Sequence, residues 1–374
     1  MIRSALGVAA LSLLLWSQSP TAQTPVPKDP LCDLRTSERV VAIGDVHGAF
    51  DRFVAILQEA RLIDARRRWI GGRAVLVQTG DIPDRGNDSR LAFDLLKKLE
   101  GEAKSAGGRV YALLGNHEIM RLRGEFAYVS AAEYAAFRTR DSEDLRERYY
   151  ALLVNELKTR TRAAGAAFDE PAFRQKFLDE TPLGFVELRQ AFLPDGPYGR
   201  WLRGHTAMVK INGVAFVHGG TTPAVAAMGC AGINAAVRAE LQKKTITDDA
   251  SATIVTDSQG PLWFRGLVSD LPTITGEALN GILRSLDARA LVVGHTVAEI
   301  ADDTGARRAL GRIRVLFDGR VLQIDTGMVG GQFFPGGRAS ALELQGATIT
   351  AVYEGSREVL KASGITPRLR HAPR

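Results

Sequence analysis

Four short apolar runs, far apart in this 374-residue chain, each close on a glycine followed by a cluster of polar side chains. The clusters are Gly44-Asp45-Val46-His47-Gly48, Gly80-Asp81-Ile82-Pro83-Asp84-Arg85-Gly86, Gly115-Asn116-His117-Glu118 and Gly294-His295. A fifth run ends at His218-Gly219-Gly220. The runs at 39–43, 74–77, 110–114, 214–217 and 290–293 have the apolar, largely β-branched character of strands. Glycine lets the backbone turn sharply and approach a ligand. In open α/β sheets, ligands bind beyond the carboxyl ends of the strands. A chain with this pattern needs a fold that gathers several strand ends at one place.

The intervening segments fit such a fold. Residues 49–60 place Phe53, Ile56, Leu57 and Ala60 on one helical face, and 91–99 predicts a second helix. The order β-α-β-α-β predicts an α/β fold with a mainly parallel, helix-covered sheet. Residues 121–200 are rich in Ala, Glu, Arg and Leu and predict a helical insertion or lid. Asn212-Gly213, Asp318-Gly319 and Gln345-Gly346 sit between β-type runs and predict hairpins, because tight hairpin turns need positive φ. Residues 233–241 and 277–286 predict further helices. A basic tail, 356–374, is expected to lie free of the core.

Hydrophobic residues at 45% and charged residues at 24% exclude a disordered or collagen-like chain. The net charge of +6 comes with only 7% aromatics, where a nucleic-acid binder more often clusters its charge with aromatic side chains, so no nucleic-acid partner is expected. Arg3, an apolar run over 5–16 and a small polar region to Ala22 predict a signal peptide at 1–22, with an uncleaved anchor as the other reading. Residues 23–37, with three prolines between 24 and 30, predict an extended leader. The expected location is periplasmic or secreted, with no stable membrane insertion after cleavage. Export leaves Cys32 and Cys230 either paired or as two free thiols, and two cysteines build no Cys-based zinc site.

The five clusters supply Asp45, His47, Asp81, Asn116, His218 and His295. Carboxylate, imidazole and amide donors suit first-row divalent ions such as Mn, Fe or Zn. Six donors exceed the needs of one tetrahedral ion and fit two ions sharing a carboxylate. Such a pair clamps the attacking and leaving oxygens of phosphoryl transfer and makes hydroxide available near neutral pH. Any one cluster alone is weak, since a strand-terminal Asp is often a helix cap.

These blocks resemble the GDxHG, GDxxDRG, GNHE, HGG and GH blocks of the calcineurin-like metallophosphoesterases. GDIPDRG and GNHE resemble the phosphoprotein phosphatase branch within it. Gly260-Pro261-Leu262-Trp263-Phe264-Arg265-Gly266 resembles a block of its bacterial Shewanella-like protein phosphatases. The resemblance spans residues 38–330 and leaves the insertion unmatched. It implies a sandwich of two mixed sheets flanked by helices, with a phosphoesterase domain at 38–355.

Carried onto this sequence, the resemblance implies that Asp45 and His47 hold a first metal and that Asp81 bridges to a second. Asn116, His218 and His295 would hold that second metal. His117 would protonate the leaving oxygen, paired with Asp84, while Arg85 and Arg265 would grip the phosphate. Pro83 departs from the commoner GDxVDRG and stiffens that loop. The implied activity is dimetal-dependent hydrolysis of phosphate monoesters by metal-activated hydroxide, acting on a phosphorylated protein or a small phosphate ester. Hydrolysis of dinucleoside polyphosphates or phosphodiesters is the alternative. His205 is expected to be structural, Arg66-Arg67-Arg68 a solvated loop, and Asp318, Asp325 and Asp302-Asp303 are given no role.

Overall fold

The computed structural model describes residues 28–361 apart from 244–245, 247–252, 270–272 and 302–304. The predicted signal peptide, the start of the leader, Asp302-Asp303 and the tail past 361 lie outside the described residues.

The first half follows the predicted alternation. Strand β1 (Val40–Ile43), helix α1 (Phe50–Glu59), β2 (Val75–Gln78), α2 (Ser89–Ser105) and β3 (Arg109–Ala112) give three parallel strands, with Val40 opposite Val75 and Val75 opposite Arg109. Helix α3 (Asn116–Arg123) starts directly at the third cluster and stops at Gly124, which takes a left-handed φ of 79°. The insertion is helical as expected: α4 (Ala131–Phe137), α5 (Ser142–Ala163), α6 (Glu170–Glu180), α7 (Phe185–Phe192) and α8 (Pro197–Arg203). The chain returns as a β4 (Met208–Ile211) and β5 (Val214–Val217) hairpin, then α9 (Pro223–Ala226), α10 (Gly229–Leu241), α11 (Gly276–Ser285) and β6 (Ala290–Val293). A two-stranded ribbon of β7 (Glu299–Ala301) and β8 (Arg307–Ala309) precedes β9 (Arg314–Leu316), β10 (Val321–Gln323), β11 (Ser340–Gln345), β12 (Thr348–Tyr353) and β13 (Ser356–Val359).

Two mixed sheets result, ordered β13-β12-β11-β1-β2-β3 and β4-β5-β6-β10-β9. Strand alternation decides what each side chain meets. Val40, Ala42, Val75 and Val77 face Val209, Phe216, Val292 and Leu322 in the core between the sheets. Val41, Ile43 and Leu76 face Phe53, Ile56 and Phe93 on the covering helices, and Val217 and Val293 meet Ile233 and Ile282 on the opposite side. Both faces are covered, so these strands read as unbroken apolar runs. Each fully buried side chain of this kind contributes about 1.5–3 kcal/mol.

All three hairpins form. The third is shifted by one residue: Gln345 pairs with Thr348, so the turn is Gly346 and Ala347, with Gly346 at φ 59°. Two end segments differ from expectation. Residues 29–36, expected as part of an extended leader, are tied to the core: Asp29 caps a short turn at Pro30–Cys32, and Cys32 is disulfide-bonded to Cys230. Leu34 exchanges backbone hydrogen bonds with Lys210 and Asn212, covering the open edge of β4. At the other end, the start of the predicted tail is β13, paired with β12. Its side chains are exposed, so it carries no apolar alternation to mark it as a strand.

Candidate active site

The parallel strands of both sheets bring their carboxyl ends to one edge. Gly44 shows how close the sheets come there, because a Cβ on it would lie 2.8 Å from the Ile324 carbonyl oxygen. The loops after β1 and β2 are laced together: Val46 and His47 both donate their N–H to the Asp81 carbonyl at 2.9 Å, and Gly48 donates to Ile82 at 2.8 Å. Backbone strain concentrates here. His47, Asp81, Asp84, Arg85 and His295 all have φ between 47° and 78°, a region that L side chains seldom occupy. Such conformations persist where surrounding bonds hold them, and they cluster at functional sites.

The six predicted ligands form one connected cluster. His47 Nε2 lies 3.6 Å from both Asp45 Oδ2 and Asp81 Oδ2. His218 Nε2 lies 3.3 Å from Asp81 Oδ1 and 3.0 Å from both Asn116 Oδ1 and His295 Nδ1. The His295 N–H donates to Asp45 Oδ1 at 3.0 Å, closing the ring. Each imidazole is oriented from behind by a carbonyl: Pro83 O at 2.9 Å from His47 Nδ1, Thr79 O at 2.9 Å from His218 Nδ1, and Trp263 O at 3.0 Å from His295 Nε2. That arrangement turns the opposite ring nitrogen of each into the cluster, as in metal sites.

The charge balance fits cations. Two donor groups share Asp81: His47–Asp81–His117 and Asp81–His218–His295. Asp45 Oδ2 is buried without a hydrogen-bond partner. Burial, with the neighbouring carboxylates of Asp325 and Asp81, pushes the Asp45 carboxyl well above its usual range. Burial would raise Asp81 too, but His218, His117 and His47 outweigh it and hold that carboxyl well below. Burial, reinforced by Arg85 at His47 and by His218 and Arg265 at His295, keeps both imidazoles in the neutral form that metal ligation requires.

His117 stands apart electrostatically. Burial opposes its protonation, yet the Asp81 and Asp84 carboxylates outweigh burial and raise it above the ordinary histidine value. Its Nδ1 is 2.6 Å from Asp84 Oδ2, and its Nε2 is 3.8 Å from Asp81 Oδ2. Arg85 reaches His47 Nε2 and lies between the rings of Tyr128 and Phe334, 5.7 and 5.4 Å from their centroids. Arg265 donates to the His295 carbonyl at 2.7 Å and to Thr296 Oγ1 at 3.1 Å. The Trp263-Phe264-Arg265 stretch thus wraps His295.

Sequence reasoning missed three buried residues here. Glu118 accepts from the backbone N–H groups of Asp81, Ile82 and Gly115 at 2.9, 2.7 and 2.7 Å, fixing the loops after β2 and β3 to each other. Asp325 lies in the loop after β10, and burial pushes its carboxyl up to about 6. The available signal was the Asp325-Thr326-Gly327 that closes a strand run, polar residue first and glycine after, as at His218-Gly219-Gly220. Arg121 makes an ion pair with Asp84 and belongs to the unmatched insertion boundary. His205 is structural as expected, held between the Trp201 carbonyl and Glu100 at 2.6 and 2.8 Å.

Two mixed sheets with candidate metal-ligand side chains gathered at their common edge fit an α/β metal-dependent hydrolase. A model of the Calcineurin-like phosphoesterase family matches residues 38–299. The chain belongs to that family, whose members bind a dimetal centre. It is 31% identical to Shewanella-like protein phosphatase 2 of Arabidopsis thaliana over 231 residues, 61% of this chain and 57% of that protein. It is 29% identical to Shewanella-like protein phosphatase 1 of Plasmodium berghei over 269 residues, 71% of this chain and 62% of that protein. The chain therefore spans less than two thirds of the length of either relative. The solved cold-active protein-tyrosine phosphatase of a psychrophilic Shewanella species superposes with a TM-score of 0.63 at 26% identity, covering 92% of this chain and 89% of that one.

Proposed function

We propose that the protein hydrolyses phosphate monoesters, with an aromatic ester such as the phosphotyrosine of a protein as its preferred substrate. The observation that carries this reading is the His117–Asp84 pair at 2.6 Å, set beside the ligand cluster and flanked by Arg85. Asp45, His47, Asp81, Asn116, His218 and His295 would hold two divalent ions, which supply Lewis-acid charge and lower the pKa of a bound water. Arg85 and Arg265 bind the terminal phosphate oxygens, to which planar guanidinium groups are suited. Asp84 holds His117 Nδ1–H, so the proton on Nε2 is the one available to the departing ester oxygen.

The aromatic preference rests on the mouth of the site. Tyr128, 48% exposed, packs its ring 5.2 Å from His117, and with Phe334 it brackets Arg85. A flat leaving group can lie against such rings. The similarity to a solved protein-tyrosine phosphatase supports the same choice. The Cys32–Cys230 pair supports residence in an oxidising compartment outside the cytosol.

The test compares p-nitrophenyl phosphate with bis-p-nitrophenyl phosphate on manganese-loaded protein, with and without chelator. The expected result is chelator-sensitive turnover that favours the monoester. Preference for the diester overturns the reading, and inactivity on both moves the substrate toward dinucleoside polyphosphates.

A further inference from the structure

The insertion sends one carboxylate into the wall of the active site. Glu133, on α4, is 1% exposed. Its Oε1 lies 2.6 Å from Arg121 Nη2, and the same nitrogen lies 2.8 Å from Asp84 Oδ1. Arg121 stands one helical turn after His117 on α3, with its side chain fully buried. Its guanidinium is set between the rings of Phe126 and Phe192, 5.7 and 5.6 Å from their centroids. Asp84 is thereby held from two sides: Oδ2 takes His117 Nδ1 at 2.6 Å, and Oδ1 faces Arg121.

The segment that carries Glu133 is fastened to the loop that carries Asp84. Arg85 donates its N–H to the Tyr128 carbonyl at 2.8 Å. Ser130, the N-cap of α4, accepts from the Glu133 N–H at 3.2 Å and donates its hydroxyl to the Gly86 carbonyl at 3.2 Å. Helix α4 and the Asp84 loop are therefore tied to each other directly. Nη2 gives its hydrogen bond to Glu133, while Asp84 Oδ1, Arg121 Nε and Arg121 Nη1 are buried without a hydrogen-bond partner. Freed of Glu133, the guanidinium can turn its full fork onto Asp84 as a bidentate pair, in competition with His117.

We propose that Glu133, acting through Arg121, is a positioning residue for leaving-group protonation, keeping Asp84 oriented so that its Oδ2 stays on His117. The proposal rests on His117 being the proton donor. It makes the unmatched insertion part of the catalytic apparatus as well as a cover.

The experiment measures kcat and KM for phenyl phosphate, a poor leaving group, and p-nitrophenyl phosphate, a good one. Wild type, Glu133→Ala, Glu133→Gln and His117→Asn are compared. Glu133→Ala is expected to lower the phenyl-to-nitrophenyl kcat ratio about tenfold, with KM values changed less than about twofold. Glu133→Gln keeps an oxygen for Arg121 and is expected to restore the ratio to within about twofold of wild type. Equal slowing of both substrates by Glu133→Ala, or an unchanged ratio where His117→Asn lowers it, overturns the proposal alone. An unchanged ratio in His117→Asn overturns the general-acid reading and the proposal with it. Should Glu133→Ala not fold, Arg121→Lys replaces it: it keeps the charge, loses the fork, and is expected to lower the ratio where Glu133→Gln does not. Identical ratios in those two variants overturn the proposal.

Discussion

Glu133 has a stability signature separate from its effect on turnover. Burial dominates over its ion pair with Arg121 and pushes the carboxyl from its ordinary 4.5 up to about 7. A carboxyl raised by folding favours the folded state fully below the unfolded pKa, and that advantage is lost as pH rises through the folded value. A rise of this size corresponds to on the order of 3 kcal/mol. Wild type is therefore expected to lose thermal stability relative to Glu133→Gln as pH rises from about 4.5 to about 7. Melting curves across that range check it, and a constant difference between the two proteins would show that Glu133 titrates as an exposed group does. At this scale the sequence exposed the ligands but hid their supports. Asp45 and His47 sit in a short glycine-bounded block, whereas Arg121 and Glu133 look like ordinary residues of a polar helical stretch, and only folding buries them.

Among the elements, the strand-end loops set the tightest tolerances. A Cβ on Gly115 would lie 2.3 Å from Asp81 Oδ1, 2.6 Å from Asp81 N and 2.9 Å from His218 Cε1. Gly115→Ala is therefore expected to displace the carboxylate shared by both donor groups while the sheets, which it does not touch, still form. Metal analysis after dialysis should then show a loss of at least half the bound ion, with circular dichroism unchanged; full retention of metal would show that the loop relaxes around the methyl group. Hairpins were legible because Asn212-Gly213 and Asp318-Gly319 meet a backbone requirement fixed by neighbours in sequence. Strand β13 was not, since its pairing with β12 is satisfied through backbone groups while its side chains face solvent.

For the whole molecule, the Cys32–Cys230 bond closes a loop of 198 residues across the second sheet's edge. Asp29 reinforces the same joint, accepting from Asn234 at 3.1 Å and from Arg238 at 2.8 Å. A loop this long corresponds to as much as about 5 kcal/mol of lost unfolded-chain freedom. Reduction, or Cys32→Ser with Cys230→Ser, is expected to lower Tm by roughly 5–7 °C. Scanning calorimetry with and without a thiol reductant tests this, and an unchanged Tm would leave Asp29 and Leu34 as sufficient anchors. By itself the sequence determined the βαβαβ order, the hairpins, the helical character of 121–200 and the donor types carried by the five clusters. Each of these depends on residues a few positions apart, through side-chain periodicity, turn geometry or donor type. The tertiary structure alone decided that Cys32 pairs with Cys230, that Glu118, Arg121, Glu133 and Asp325 enter the site, and that residues 29–36 are tied to the core. Those outcomes depend on distances between segments that can lie more than 200 residues apart, which no local pattern encodes.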